Sequence, residues 1–326
     1  MPIDILCLRP ESDFTRVGVA IPVGPSIAFR APDAADVPGL LQEARVLVIP
    51  AVGPKLAPEL FEPAKALRLV QITGAGVDRL DQPTLQRLGI PVCNVPGGSN
   101  AALAEYAVGQ ALALLRRFSW ADAEVKQGNY VPFRNRMVAD NLSGLGDLQV
   151  GIVGMGTIGL AVARAFAAFG SRIAFFDPAP RDSAAVAQLS ATAMTLDELL
   201  STSDVVSLHV PLLPQTTNLV GAAQLARMKP TAVLLNASRG GIVDEAALAA
   251  ALAEGRLFGA AVDVYSTEPA PSDNPLLSLA GEAASRLLLT PHVAGVSRQA
   301  SATLFKVALE NALRALAGET ALHRVY

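Results

Sequence analysis

The chain has 326 residues, half of them apolar and only 17% charged, with 26 Lys and Arg against 29 Asp and Glu for a formal charge of -3. This composition excludes disorder, the length suits two domains rather than one, and the interspersed charge leaves no extended basic face, so neither nucleic acid nor an anionic membrane is an expected partner. The most apolar helix candidate, near 101–115, is interrupted by Glu105 and Gln110, and Asp4 and Arg9 stand where a leader would be apolar, so neither a span nor a signal peptide is predicted. Cys7 and Cys93 lie in apolar stretches without metal-ligand spacing, which predicts buried small hydrophobes and a reducing, cytoplasmic setting.

In chain order, residues 3–98 alternate short apolar runs ("IDILCL", "ARVLVIPAVG", "LRLVQITGAG", "IPVCNVPGG") with helical stretches such as 55–66 and 83–88. Such alternation predicts a parallel sheet covered by helices. A long helix is expected at 100–118, with an Asn at its start and Arg116 and Arg117 near its end, where the helix dipole favours cations. Residues 128–147 read as an irregular surface arm and a turn. Alternation then resumes, with strands expected at 149–154, 172–177, 205–210, 232–238, 259–264 and 286–292 and helices at 157–169, 196–201, 222–228 and 244–254. A last helix, about 297–317, ends at Gly318, a residue suited to the position after a helix. The fold expected is α/β, with two doubly wound parallel-sheet domains.

Gly154-Met155-Gly156-Thr157-Ile158-Gly159 follows one strand directly and opens a helix, the context a dinucleotide fingerprint requires. Gly154 permits the tight turn, Gly156 lets the backbone approach a pyrophosphate, and Gly159 lets helix and strand pack closely, while the helix start offers unpaired N–H groups to the anion. Asp177 ends the next strand, where a carboxylate accepts from the adenosine ribose hydroxyls and repels a 2′-phosphate. These residues predict a Rossmann domain that prefers NAD(H) over NADP(H). Arg181, close by, reads as a solvated surface charge. No Tyr is followed four residues on by Lys, and two cysteines with three histidines do not readily supply a zinc alcohol dehydrogenase site.

Three further residues fall just past strands, where open α/β sheets bind ligands. Arg239, in "LLNASRGGIVDE", offers a guanidinium that grips a carboxylate through two parallel bonds. His292, in "LLLTPHVAG", can exchange a proton, and Glu268, in "AVDVYSTEPA", can hold the imidazolium form when hydrogen-bonded to it. A cation, a proton donor and a group that keeps the donor charged are what reduction of a 2-oxo acid requires.

At this point the chain resembles the D-isomer-specific 2-hydroxyacid dehydrogenases. The resemblance rests on "ITGAGVDRLD", "VCNVPGGSNAALAEYAVG", "VGIVGMGTIG", "HVPLLPQTTNLV", "LLNASRGGIVDEAAL", "AVDVYSTEP" and "LLLTPHVAG", all in family order. It implies that Arg239, Glu268 and His292 are catalytic, and that Thr157, Ile158, Asp177, Val210, Ala237, Ser238, Arg239, Asp263 and Gly295 touch the cofactor. It also implies that the backbone N–H groups of Gly74, Ala75 and Gly76 receive the substrate carboxylate, and small residues there would let the main chain approach it. The expected organisation is a flavodoxin-like substrate domain, residues 1–98 completed by 297–326, into which the NAD-binding Rossmann domain, 99–296, is inserted and over which the former closes.

A homodimer is expected through the helix at 100–118 and the arm. Within the family, Glu268 stands where formate dehydrogenases carry Gln, and Ala75 where phosphite dehydrogenases carry Lys. The alternative function is an NADH-sensing, corepressor-like binding protein on the same fold. Asp263 and Asp78 can also be read as turn acids, His209 and His323 as structural. Arg134, Arg136 and Arg298 read most simply as solvated charges, although the first two lie on the arm and could reach a neighbouring subunit's pocket.

Overall fold

The computed structural model describes residues 3–326. By their packing they form two units, one running to Ser99 and completed by Val296–Tyr326, the other spanning Asn100–Gly295.

In the first unit five short runs pair as a wholly parallel sheet: β1 (Ile5–Cys7), β2 (Ile27–Phe29), β3 (Val46–Ile49), β4 (Leu69–Ile72) and β5 (Val92–Cys93). Their order is β2-β1-β3-β4-β5, the flavodoxin-like arrangement. β1, β3 and β4 are buried along their whole length, which explains why β1 and β3 read as continuous apolar runs without alternation and why β4 departs from one only at Gln71. One face packs on Val37, Leu41, Phe61 and Leu85. The other is covered by the last helix, Arg298–Ala317, through Leu304, Phe305, Leu309 and Ala312.

A buried polar clasp keys that helix in place. Asn311 Nδ2 donates to Gln71 Oε1 of β4 (2.9 Å) and to the Leu322 carbonyl (2.8 Å), while its Oδ1 accepts from Leu322 N–H (2.8 Å). Gly318 then turns the chain with a left-handed φ of 79°, and the tail pairs along β5, where Val325 N–H donates to the Val92 carbonyl (2.8 Å) and Val92 N–H donates to the Tyr326 carbonyl (3.0 Å). Burial pushes the Cys7 thiol up to about 12, so it stays protonated and packs as a hydrophobe.

The second unit holds seven parallel strands: β6 (Gln149–Val153), β7 (Arg172–Phe176), β8 (Thr192–Ala193), β9 (Val205–Leu208), β10 (Val233–Asn236), β11 (Gly259–Val262) and β12 (Leu287–Leu289). The order β12-β11-β10-β9-β6-β7-β8 is a Rossmann order, reversing at β6. One face is closed by the helices Asn100–Leu115 and Thr157–Ala168, which meet through small and branched residues such as Ala104, Ala107, Ala111, Val162 and Ala163. The other is closed by residues including Leu199, Leu225, Leu248 and Leu252.

Three local expectations are corrected. Within 55–66 only Pro58–Leu60 is helical, as one 3-10 turn followed by separate turns, because Pro58 and Pro63 lack the amide hydrogens a continuous helix needs. The helix expected over 100–118 stops at Leu115, and Arg117, with φ 53°, turns the chain into a new helix, Phe118–Lys126. The arm at 128–147 is not wholly irregular. Tyr130–Ala139 is helical, with Pro132 in the first turn where a missing N–H is tolerated, and Phe133 packs edge-on against Trp120 at 5.2 Å.

Candidate active site

Val153, Leu208, Asn236, Val262 and Leu289 pair in one register line across β6, β9, β10, β11 and β12, so these strands end level. Every loop leaving that line carries residues singled out from the sequence. Gly154 follows β6, Val210 follows β9, Ala237, Ser238 and Arg239 follow β10, Asp263 and Glu268 follow β11, and His292 and Gly295 follow β12.

The histidine loop is held from inside. Asp263 is fully buried, and its Oδ1 accepts from Thr290 Oγ1 (2.6 Å) and Val293 N–H (2.8 Å) while Oδ2 accepts from Ala294 N–H (2.8 Å). The His292 amide donates to the Asp263 carbonyl at 2.8 Å. His292 itself has φ 54°, a left-handed conformation uncommon for residues other than glycine, and this surrounding network over-determines it. Asp263, expected at the cofactor, thus has both carboxylate oxygens committed to the His292 turn. Thr290 is braced in turn by Tyr106, hydroxyl to hydroxyl at 2.7 Å, and by Tyr265, whose hydroxyl donates to the Thr290 carbonyl at 3.0 Å. Burial pushes the Tyr106 phenol up to about 12, so it remains a donor.

Glu268 meets this loop from β11. Its Oε1 accepts from Tyr265 N–H (3.0 Å) and its Oε2 from His292 Nδ1 (2.8 Å). A carboxylate can only accept, so Nδ1 carries the hydrogen. The β10 loop is drawn against the same segment, because a Cβ on Gly240 would lie 1.8 Å from the Tyr265 carbonyl oxygen, a separation only glycine allows. Arg239 precedes that contact. Its Nη1 donates to the Ser238 carbonyl at 2.7 Å, and buried Asn236 ties the loop by donating to the Arg239 carbonyl and accepting from Ser238.

The three glycines of the turn differ in what their surroundings demand. Gly154 has φ 93° and a Cβ there would lie 2.4 Å from the His209 carbonyl oxygen, while a Cβ on Gly159 would lie 2.0 Å from the carbonyl oxygen of Gly154. Gly156 is different, because a Cβ would meet nothing within 4 Å. Neither packing nor backbone requires glycine there, and the open space beside it leaves room for a ligand to approach the main chain. The helix beginning at Thr157 has no side-chain cap, so its first N–H groups face outward as an anion site. These features fit a dinucleotide. Asp177 accepts from Met155 N–H and Ala179 N–H, and Arg181, expected as a solvated charge, is instead bound to it through Nε and Nη2, each at 2.7 Å. Burial pulls the Asp177 carboxyl upward, but Arg181 and the two amides outweigh it and hold it below the usual range.

The sequence model for the D-isomer-specific 2-hydroxyacid dehydrogenase NAD-binding domain matches residues 108–294. A glyoxylate reductase of Korarchaeum cryptofilum is 39% identical over 80% of this chain and 76% of its own length. A D-3-phosphoglycerate dehydrogenase of Archaeoglobus fulgidus is 35% identical over 79% of this chain, which spans about half (47%) of that protein. Among solved structures, the TT0316 protein of Thermus thermophilus superposes with a TM-score of 0.81 at 32% identity, covering 99% of this chain and all of that one. The chain belongs to the D-isomer-specific 2-hydroxyacid dehydrogenase family. As such a dehydrogenase it is an oxidoreductase that acts on CH–OH donors, with a nicotinamide cofactor and small 2-oxo and 2-hydroxy acids as substrates.

In the first unit of this dehydrogenase the loop after β4 has an uneven hydrogen-bond balance. The carbonyls of Gly74 and Ala75 accept from Val95 N–H (2.8 Å) and Asn94 Nδ2 (2.7 Å), whereas the amides of Gly74, Ala75 and Gly76 find no acceptor among the described residues. Adjacent unsatisfied amides make an anion-binding concavity.

His209 bonds Ser207 at 2.8 Å through Nε2, and burial pushes its imidazole down to about 4, so it is neutral. The His323 carbonyl accepts from Asn94 N–H in the C-terminal tail. Arg136 is not a solvated charge, because it pairs with Glu282 at 2.6 Å and lies over the Trp120 ring at 4.6 Å. Sequence reasoning missed Asn236, Thr290 and Glu245, whose carboxylate accepts from Ser266 N–H and Asn274 Nδ2, both at 2.6 Å, and steadies the Glu268 loop. Each acts on a partner through the fold, and no local spacing announces it. No helix among the described residues is long and apolar enough to cross a membrane.

Proposed function

We propose that this dehydrogenase interconverts a small 2-oxo acid of the glyoxylate, hydroxypyruvate or pyruvate type and its D-2-hydroxy acid, with NAD(H) preferred over NADP(H). His292 is the acid, Glu268 sustains its charge, and Arg239 holds the substrate carboxylate. The observation that carries this reading is the 2.8 Å bond from His292 Nδ1 to Glu268 on a histidine fixed in a left-handed turn.

With Nδ1 committed to Glu268, the proton exchanged with substrate is the one on Nε2. During reduction Nε2–H passes its proton to the oxygen at C2 as the carbonyl becomes an alcohol, and the ring is left neutral with Nδ1–H still donating to Glu268. Glu268 stabilises the imidazolium before transfer, so the donor is charged when needed. The Arg239 guanidinium binds the carboxylate through two parallel N–H···O bonds and, beside the carbonyl, stabilises negative charge developing on its oxygen. Bound nicotinamide supplies the hydride, or receives it in the reverse direction.

Gly154, Gly156, Thr157, Ile158 and Gly159 hold the pyrophosphate, Asp177 the adenosine ribose, and Val210, Ala237, Ser238 and Gly295 the remainder of the nucleotide. Asp263 is assigned to the His292 turn. The amides of Gly74, Ala75 and Gly76 are assigned to the substrate carboxylate, the first unit to substrate binding and the second to the cofactor. A homodimer through the segment 100–118 and the arm, whose exposed apolar residues include Phe118 on the former and Tyr130, Val131 and Val138 on the latter, and a cytoplasmic location complete the proposal.

Oxidation of NADH followed at 340 nm with glyoxylate, hydroxypyruvate and pyruvate tests it. Turnover is expected with at least one, and its absence with all three favours the nucleotide-sensing alternative. His292→Ala should lose turnover by roughly a hundredfold or more while still binding NADH, and near-full activity eliminates it as the acid.

A further inference from the structure

An acid after the second strand of a Rossmann sheet ordinarily does two things. It accepts from the ribose hydroxyls, and its charge repels a 2′-phosphate. In this chain the acid is already engaged. Asp177 Oδ1 takes Ala179 N–H at 2.9 Å and Arg181 Nη2 at 2.7 Å, and Oδ2 takes Met155 N–H at 2.8 Å and Arg181 Nε at 2.7 Å. Four donors fill the acceptor capacity of an ionised carboxylate. Its side chain is 2% exposed while that of Arg181 is 33% exposed, so what meets solvent is the back of a guanidinium and the pair carries no net charge.

The clamp is pre-organised. Pro178 and Pro180 stiffen the turn that delivers Arg181, and the neighbouring Asp182 is turned away to cap the next helix by accepting from Ala184 N–H and Ala185 N–H. Pairing through Nε and Nη2 uses two of the five guanidinium N–H donors, leaving the Nη1 side for another anion.

We propose that Arg181 is a cofactor-specificity residue: by clamping Asp177 it cancels the charge that would repel a 2′-phosphate and presents a cation in its place, so that this dehydrogenase accepts NADPH with only a modest preference for NADH. The proposal rests on the nucleotide assignment made for Gly154–Gly159 and Asp177. NADH loses part of its usual advantage because its ribose hydroxyls must share oxygens that Arg181 occupies. NADPH loses most of its usual penalty because one unit of negative charge has been neutralised.

Dissociation constants for NADH and NADPH, measured by nucleotide fluorescence and by calorimetry without substrate, test this on the wild type, Arg181→Gln and Arg181→Lys. The wild type should bind NADPH within about tenfold of NADH. Arg181→Gln should weaken NADPH about tenfold or more, the order expected for one unit charge facing a phosphate dianion near solvent, and leave NADH equal or tighter. Arg181→Lys, which keeps the charge without the fork, should recover part of the NADPH affinity. A ratio in Arg181→Gln within twofold of the wild type, with NADH still bound, overturns the role of Arg181 and leaves the dehydrogenase reading standing. So does a wild type that already discriminates against NADPH by about a thousandfold. A wild type that binds neither nucleotide overturns both.

Discussion

Replacing Asp263 by Asn isolates the interaction on which the histidine turn depends. The shapes match, and the amide oxygen can keep the bonds from Thr290 Oγ1 and Val293 N–H, which share Oδ1. Its NH2 must then face Ala294 N–H, which now sits 2.8 Å from Oδ2 in a buried setting. One bond to a charged acceptor, about 1.5–3 kcal/mol, is lost, and a buried N–H left without a partner adds about 1–3 kcal/mol. The neutral amide is easier to bury than a carboxylate and offsets part of this, so we expect a net loss of about 3 kcal/mol. For a domain of this size each kcal/mol lowers Tm by about 2–4 °C, giving a fall of about 6–12 °C. Scanning calorimetry without any nucleotide measures it. The ligand-free condition matters, because a residue serving only as a cofactor contact would leave the melting curve unchanged and move only the NADH dissociation constant. A ligand-free Tm within 2 °C of the wild type would refute the turn-holding argument. The same variant should lose turnover as His292 drifts from Glu268.

Two glycines should behave in opposite ways. Gly240→Ala, with its Cβ 1.8 Å from the Tyr265 carbonyl oxygen, must part the Arg239 and Glu268 loops and should cost about 3 kcal/mol or more in thermal stability. Gly156→Ala, facing open space, should melt normally yet bind NADH about tenfold or more weakly by calorimetry. Arg239→Lys exchanges a fork for a point charge and should lower kcat/KM on the best 2-oxo acid by about thirtyfold, or about 2 kcal/mol, which steady-state kinetics reads directly. His209 is held neutral, its pKa lowered to about 4 from 6.5 by burial. Its contribution is therefore intact above pH 6.5 and lost as pH falls toward 4, at up to about 1.4 kcal/mol per pH unit. His209→Asn should flatten the fall of Tm between those limits, and an unchanged slope would reject the assignment.

Periodicity and punctuation in the sequence were enough for the long buried strands and for the residues just past them. β3 and β11 are free of polar side chains and β4, β6, β9 and β10 carry one each (Gln71, Gln149, Ser207 and Asn236), and the fingerprint glycines sit in a strand-turn-helix context that has few alternatives. The shorter pieces were not legible. β2 is three half-buried residues and β8 is two exposed ones, too short to show a period. The helix Tyr130–Ala139 has apolar and charged residues on all sides and forms against Trp120, a tertiary reason that no local signal carries. Of the site, Arg239, Glu268 and His292 stood out because their chemistry is conspicuous at strand ends. Asn236, Glu245 and Thr290 did not, because what they do depends on carbonyls and amides brought near only by the fold. Arg181 was misjudged for a related reason: its exposure follows from the sequence, but its fork on Asp177 follows from the turn geometry.

The return of the last helix to the first sheet has a consequence during synthesis. Ile5, Val46, Val48 and Leu69 are covered by Leu304, Phe305 and Leu309, which leave the ribosome some 235 residues after Leu69. The contiguous unit can complete itself first, while a hydrophobic sheet face made earlier waits uncovered through most of translation. Nascent chains stalled before residue 298 should therefore be the form that chaperones hold longest, and the Asn311–Gln71 clasp marks the moment they can let go.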